Sequence, residues 1–143
     1  MRLSKFLVAG FVLAAGVAYA AVEATDPNVI ARQDLMKTIG GSTKALGDMA
    51  GGKTAYDATA AEAAKATLVS ASAEIEAKFT PTSTDPADEA KPEVWTNWEG
   101  FLLKTKALQD AAAAVDTSSA ETIGAGMGAI GGSCKDCHTS FRM

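Results

Sequence analysis

The residues best suited to chemistry stand together near the C-terminus, in the run Gly131-Gly132-Ser133-Cys134-Lys135-Asp136-Cys137-His138-Thr139-Ser140-Phe141-Arg142. Cys134, Cys137 and His138 read Cys-x-x-Cys-His, the attachment signature of a c-type haem. The spacing has a chemical reason. Two thiols one helical turn apart can each add across one vinyl group of a porphyrin. The histidine that follows is then held under the iron as an axial ligand. One covalent haem c is the expected cofactor, with Cys134 and Cys137 as its anchors and His138 as a metal ligand.

Other uses of these residues fit less well. A redox Cys-x-x-Cys belongs at a helix N-terminus beside a βαβ pattern, whereas this one ends a helical segment in a chain without strand patterning. A structural zinc site needs four ligands. The chain has two cysteines and one histidine in all, every one inside the motif. A helical module whose cysteines are merely disulfide-bonded is the remaining alternative. No second histidine is present for acid–base work and no glycine-rich nucleotide loop, so no enzyme is expected.

The N-terminus gives an address. Arg2 and Lys5 precede an apolar run from Phe6 to Val17, and Ala18-Tyr19-Ala20 is a small-x-small cleavage site. Residues 1–20 therefore read as a secretory signal peptide cut near Ala20, and the run is short for a membrane anchor. Residues 21–143 are then one exported domain with no transmembrane candidate. Of the 13 basic and 17 acidic residues, Arg2 and Lys5 leave with the leader, which takes the net charge from −4 to −6. An acidic surface argues against nucleic acid and against anionic membranes, and would suit a basic docking partner.

The elements that must position the motif are legible as helices. Alanine is abundant, aromatics are 6% of the chain, and runs of β-branched residues are absent. A first helix opens at Asp26-Pro27, carries Val29, Met36, Ile39, Leu46 and Met49 on its apolar side, and ends at Gly51-Gly52. A second starts near Asp57 and carries Ala64, Leu68, Ala71, Ile75 and Phe79. The breaker-rich stretch Thr80 to Pro86 is the longest loop. A third helix begins around Lys91-Pro92-Glu93, with the seam Val94, Trp98, Phe101, Thr105, Leu108, Ala112, Val115 and Trp95 beside it. Ser118-Ser119-Ala120-Glu121 resembles a capping box and opens a fourth helix.

Its stripe is Ile123, Met127, Ile130, Cys134, Cys137, Phe141, so both cysteines should fall on a buried face. The glycines at 124, 126, 128, 131 and 132 each cost roughly 1 kcal/mol relative to alanine in a helix. Either they allow close approach of a macrocycle or a neighbouring helix, or the segment is loosely wound. The predicted fold class is all-α, an antiparallel four-helix bundle with haem held inside.

A Cys-x-x-Cys-His on the last helix of such a bundle resembles the cytochrome c′ family of bacterial periplasmic haem proteins. Arg32-Gln33 followed by Leu35-Met36-Lys37 is similar to its distal segment, Lys91-Pro92 with Trp95 and Phe101 to its Lys-Pro-x-x-Trp stretch, and Gly131 through Arg142 to its haem-binding helix. The resemblance implies a periplasmic location, a bundle of four helices and a role in electron transport. It also implies a choice at the sixth iron position. High-spin members place an apolar or aromatic residue there, and low-spin members a ligating methionine. Aligning Arg32-Gln33 puts Met36 at that position, and a thioether is a good soft ligand. The competing role for Met36 is a flexible core filler, the role assigned to Met49 and Met127. Arg32, Gln33 and Arg142 are implied as contacts to the haem propionates or, for Arg142, to the proximal pocket. A helix-dipole role for Arg142 is the alternative. Implied partners are redox proteins, or nitric oxide and carbon monoxide if the sixth position is open. A homodimer through the first two helices is common in the family, and the sequence leaves monomer and dimer both open.

Overall fold

Each long helix of the computed structural model starts where the sequence supplies a cap. The structure describes residues 22–143, so the expected signal peptide lies outside them. Helix α1 (Pro27–Ala50) begins with Asp26, whose carboxylate accepts the Asn28 N–H, and with Pro27 in the first turn. It stops at Gly51, and Gly52 takes the left-handed φ of +69° that a side chain disfavours. Asp57 caps α2 (Ala58–Ala73) through the Ala60 N–H. Ser119 caps α6 (Ala120–Phe141), and its reciprocal partner is Thr122. The capping box is thus one residue later than the Ser118 to Glu121 register expected.

The second and third helices are each broken once. α2 gives way at Glu74 to α3 (Ile75–Phe79). The break falls where Ser72 bonds back to Val69 O and where Gln109 Nε2 takes the Ser72 carbonyl at 3.2 Å, diverting an acceptor that a continuous helix would use. The third helix is α4 (Glu93–Thr96) and α5 (Trp98–Ala114), separated at Asn97. Asn97 leaves helical geometry to cap α5 through Gly100 N–H at 3.3 Å. A Cβ on Gly100 would meet that side chain at 2.5 Å, so glycine suits this cap.

The long helices close a ring: α1 packs against α2 and α6, and α5 packs against α6 and α2. The four-helix bundle expected from periodicity is the observed architecture, with no strand among the described residues beyond one isolated bridge from Ala90 to Arg142. Leu46, Leu68, Val94, Val115, Ile123 and Ile130 fill the middle. The apolar stripes hold with shifts of one position. On α1 Arg32, Leu35 and Ile39 around it are buried, whereas Met36 is half-buried at the edge of the core. On α6 Cys134 and Cys137 are half-buried while Ile130 and Phe141 are buried. Met49 is buried core and Met127 packs half-buried against it, as expected of both. Of the five α6 glycines, only Gly126 meets a tight neighbour. A Cβ there would lie 3.0 Å from Val115 Cγ2, while Gly128, Gly131 and Gly132 face open space. The helix is continuous through all of them.

Candidate functional site

Met36 of α1 and Cys134 and Cys137 of α6, all half-buried, face a cavity of about 720 Å³. That volume is in the range of cofactor pockets, ~300–1,000 Å³. Met36, Gln33, Gly40 and Thr43 line it from α1, Phe101 and Lys104 from α5, and Cys134, Cys137 and His138 from α6. Phe79, Phe101 and Phe141 close one end, with ring centroids 5.3–5.4 Å apart along the chain Phe79–Phe101–Phe141. All seven candidate residues, Arg32, Gln33, Met36, Cys134, Cys137, His138 and Arg142, line this one cavity. A shallower groove of about 600 Å³ between α1 and α2, edged by Asp34, Glu74 and Lys78, holds none of them.

No disulfide joins Cys134 and Cys137. Burial pushes the Cys134 thiol up. It pushes Cys137 up to about 11, with Lys104 opposing and Cys134 and Asp136 adding to the rise. A disulfide-exchanging Cys-x-x-Cys needs a depressed thiol pKa, so these values speak against the redox-motif alternative. Lys104 of α5 clamps the motif itself, pairing with Asp136 at 2.5 Å. His138 sits in the last turn of α6. Its pKa is lowered by partial burial first, then by Arg142, with Glu89 opposing. A neutral imidazole is the form that ligates a metal.

Arg32 and Gln33 are committed to protein partners. The Arg32 guanidinium donates to Pro81 O at 2.7 Å and to Asp88 Oδ2 at 2.8 Å, between the rings of Phe79 and Trp95 at 5.4 and 5.5 Å. Trp95 Nε1 donates in turn to Phe79 O. Gln33 Nε2 donates to Ala87 O at 3.1 Å. Arg142 pairs with Glu89 at the cavity rim. Asp88, Glu89, Lys104 and Thr43 are lining residues that motif reading missed. Asp88 and Glu89 lie in an aperiodic connection, which carries no spacing signal. Lys104 flanks the α5 seam, where the only clue was a possible partner in Asp136.

The donor set fits a haem. It offers two thiols, an imidazole, a thioether, aromatic walls and cationic side chains at one opening. Arg32 Nε and Thr43 Oγ1 are the buried side-chain polar atoms without a hydrogen-bond partner among the described residues, and both residues line the cavity.

A helical bundle that gathers Cys-x-x-Cys-His from its last helix and a thioether from its first into one cavity defines a bundle-type c-type cytochrome. The family model described as Cytochrome C' matches residues 28–142, and the chain belongs to that family. Its cofactor is one covalent haem c. Cytochrome c-556 of Agrobacterium tumefaciens (strain apple 185) is 35% identical over 116 residues, covering 79% of this chain and 92% of that protein. Cytochrome c' of Cereibacter sphaeroides is 32% identical over 105 residues, covering 68% of this chain and 70% of that one. Among solved structures, a cytochrome c' from Rhodobacter spheriodes superposes with TM-score 0.73 at 30% identity, covering 81% of this chain and 95% of that one. A nitric oxide complex of a mutant cytochrome c prime from Alcaligenes xylosoxidans superposes with TM-score 0.69 at 29% identity, covering 80% and 93%.

Proposed function

We propose that this chain is an exported, periplasmic mono-haem electron-transfer protein. Cys134 and Cys137 anchor the haem, and His138 and Met36 are its axial ligands. The observation that carries this reading is the placement of Met36 on the α1 wall of the cavity whose α6 wall bears His138 and both thiols. When bound, the haem supplies a one-electron couple. The protein's part is to hold two ligands on helices that pack against each other, so that little has to move when the charge changes. The aromatic trio and the α5 seam keep water from the apolar side of the cavity. Lys104 holds the attachment turn through Asp136. Among the described residues no helix is long and apolar enough to cross a membrane. Cleavage of residues 1–20 accompanies export in this reading, and residues 21–143 form the mature domain. Redox proteins are the partners.

A second reading is favoured by one observation. Met36 is half-buried, without the enclosure given to Leu35 beside it. A methionine that stays off the iron would leave an apolar sixth position for nitric oxide or carbon monoxide, and one similar protein was solved as a nitric oxide complex. The visible spectrum of the haem-loaded protein, oxidised and reduced, with and without carbon monoxide, separates the two. Methionine ligation gives a sharp low-spin reduced spectrum that carbon monoxide hardly disturbs. A broad high-spin spectrum with immediate carbon monoxide binding overturns it in favour of the second reading. Met36→Ala should open the sixth position. A low-spin spectrum unchanged by that substitution would assign the ligand elsewhere. Replacing Cys134 and Cys137 with alanine should abolish covalent haem, seen as loss of the haem mass from the polypeptide.

A further inference from the structure

The end of α6 is zipped to the last residues of the connection between α3 and α4. Lys91 N–H donates to Phe141 O at 2.9 Å and Met143 N–H to Glu89 O at 2.9 Å, with Ala90 and Arg142 bridged between them. Lys91 Nζ adds a bond to Thr139 O at 3.1 Å. The backbone of Glu89 is therefore fixed against the last turn of the helix that carries His138. Its side chain turns to Arg142, whose Nε donates to Glu89 Oε2 at 2.7 Å, while a terminal guanidinium nitrogen reaches the same oxygen. Arg142 is one turn beyond His138 and its N–H donates to His138 O at 3.0 Å. Glu89, His138 and Arg142 all line the cavity.

An ion pair this exposed, 51% and 60% for its two side chains, contributes little to stability. Yet its carboxylate rests on a backbone tied to the end of α6 by two main-chain bonds, the Glu89 carbonyl accepting the Met143 N–H and Lys91 N–H donating to Phe141 O. Geometry of that kind fixes where a charge stands. A guanidinium free to move toward the iron would favour the ferrous state, because positive charge nearby disfavours the more positive oxidation state.

We propose that Glu89 is a positioning residue for the proximal side of the haem site. It fixes where the Arg142 guanidinium stands relative to His138, and so sets the positive charge felt from that side. Such a role presupposes the axial ligation by His138 proposed above. The test is the reduction potential of the full haem-loaded protein, with the visible spectrum as a check on ligation. Glu89→Gln should shift the ferrous-to-ferric ratio at fixed potential toward ferrous by about tenfold, ~59 mV for one electron. Glu89→Asp keeps the charge but retracts it from Arg142, and should shift the ratio the same way by less. In an Arg142→Gln background the Glu89→Gln shift should fall to below half its size. A wild-type potential in Glu89→Asp, or equal Glu89→Gln shifts in both backgrounds, overturns the proposal, since bare charge would then explain everything. If Glu89→Gln yields no haem-loaded protein, the Glu89→Asp measurement decides alone. A haem-loaded His138→Ala protein with the wild-type spectrum and potential would sink the ligation itself and Glu89's role with it. Altered His138→Ala spectra beside unshifted Glu89 variants would sink only the latter.

Discussion

Arg32 is 3% exposed and its partner Asp88 11%, an ion pair taken almost wholly out of water. Losing one member of such a pair leaves the other uncompensated, which costs about 3–5 kcal/mol. Arg32→Ala also empties the slot between Phe79 and Trp95. The expected loss in a denaturant melt of the haem-loaded protein is therefore in that range, far above a surface substitution. A loss below about 1 kcal/mol would show that the pair adds nothing in place. Arg32→Lys should recover only part, since an ammonium cannot donate in a fork to Pro81 O and Asp88 together. At this scale legibility follows chemistry. Cys134, Cys137 and His138 were readable because covalent attachment dictates their spacing. Arg32 entered only through the resemblance, as a propionate contact, and its pairing was not readable, since Asp88 lies 56 residues away in a connection without periodicity.

At the scale of the element, the glycines of α6 divide by what stands opposite them. Gly128 faces open space, so Gly128→Ala replaces a floppy residue with the best helix former at no steric cost. The expected gain is about 1 kcal/mol. At Gly126 the added methyl would meet Val115 Cγ2 at 3.0 Å, and Val115 is 1% exposed with a stiff β-branched side chain. Overpacking costs roughly 1–3 kcal/mol, so Gly126→Ala should be net destabilising although the propensity change is the same. Parallel thermal melts of the two variants check this, and shifts of one sign in both would refute it. The helices were legible because each carries a cap and a period of three and four. Their breaks at Glu74 and Asn97 were not. The first falls where a side chain from another helix, Gln109, claims a backbone carbonyl, and no local pattern announces that. The one-residue slip of the capping box has a simpler cause. Ser118 and Ser119 are both good caps, and Thr122 closes the box as well as Glu121 would.

The whole molecule is tied at the cavity end by a connection rather than by a helix. Residues between α3 and α4 bond to α1 through Arg32 and Gln33, to α6 through Lys91 and Glu89, and to the chain before α1 through Asp85. Asp85 accepts the backbone N–H groups of Thr25, Asp26 and Ala87 at 2.7–2.8 Å, with the Thr25 hydroxyl at 3.0 Å. Those bonds, the Asp26 N–H first among them, hold its carboxyl at about 2, below the ordinary 3.8. Asp26, lowered chiefly by the Ser83 hydroxyl, leans the same way. A carboxyl depressed in the folded state adds stability that is fully present above its unfolded pKa and disappears as pH falls through the folded value. The window for Asp85 is therefore from about pH 4 down to about pH 2. Asp85→Asn lacks this contribution at every pH. The stability gap between wild type and variant should be widest near neutrality, begin to close below about pH 4, and be lost as pH falls through about 2. Chemical denaturation of the haem-loaded proteins across that range measures it. A gap that stays constant from pH 7 to about 2.5 would mean that the Asp85 carboxyl is not held below its ordinary value in the folded protein, and that the latch holds by shape rather than by charge.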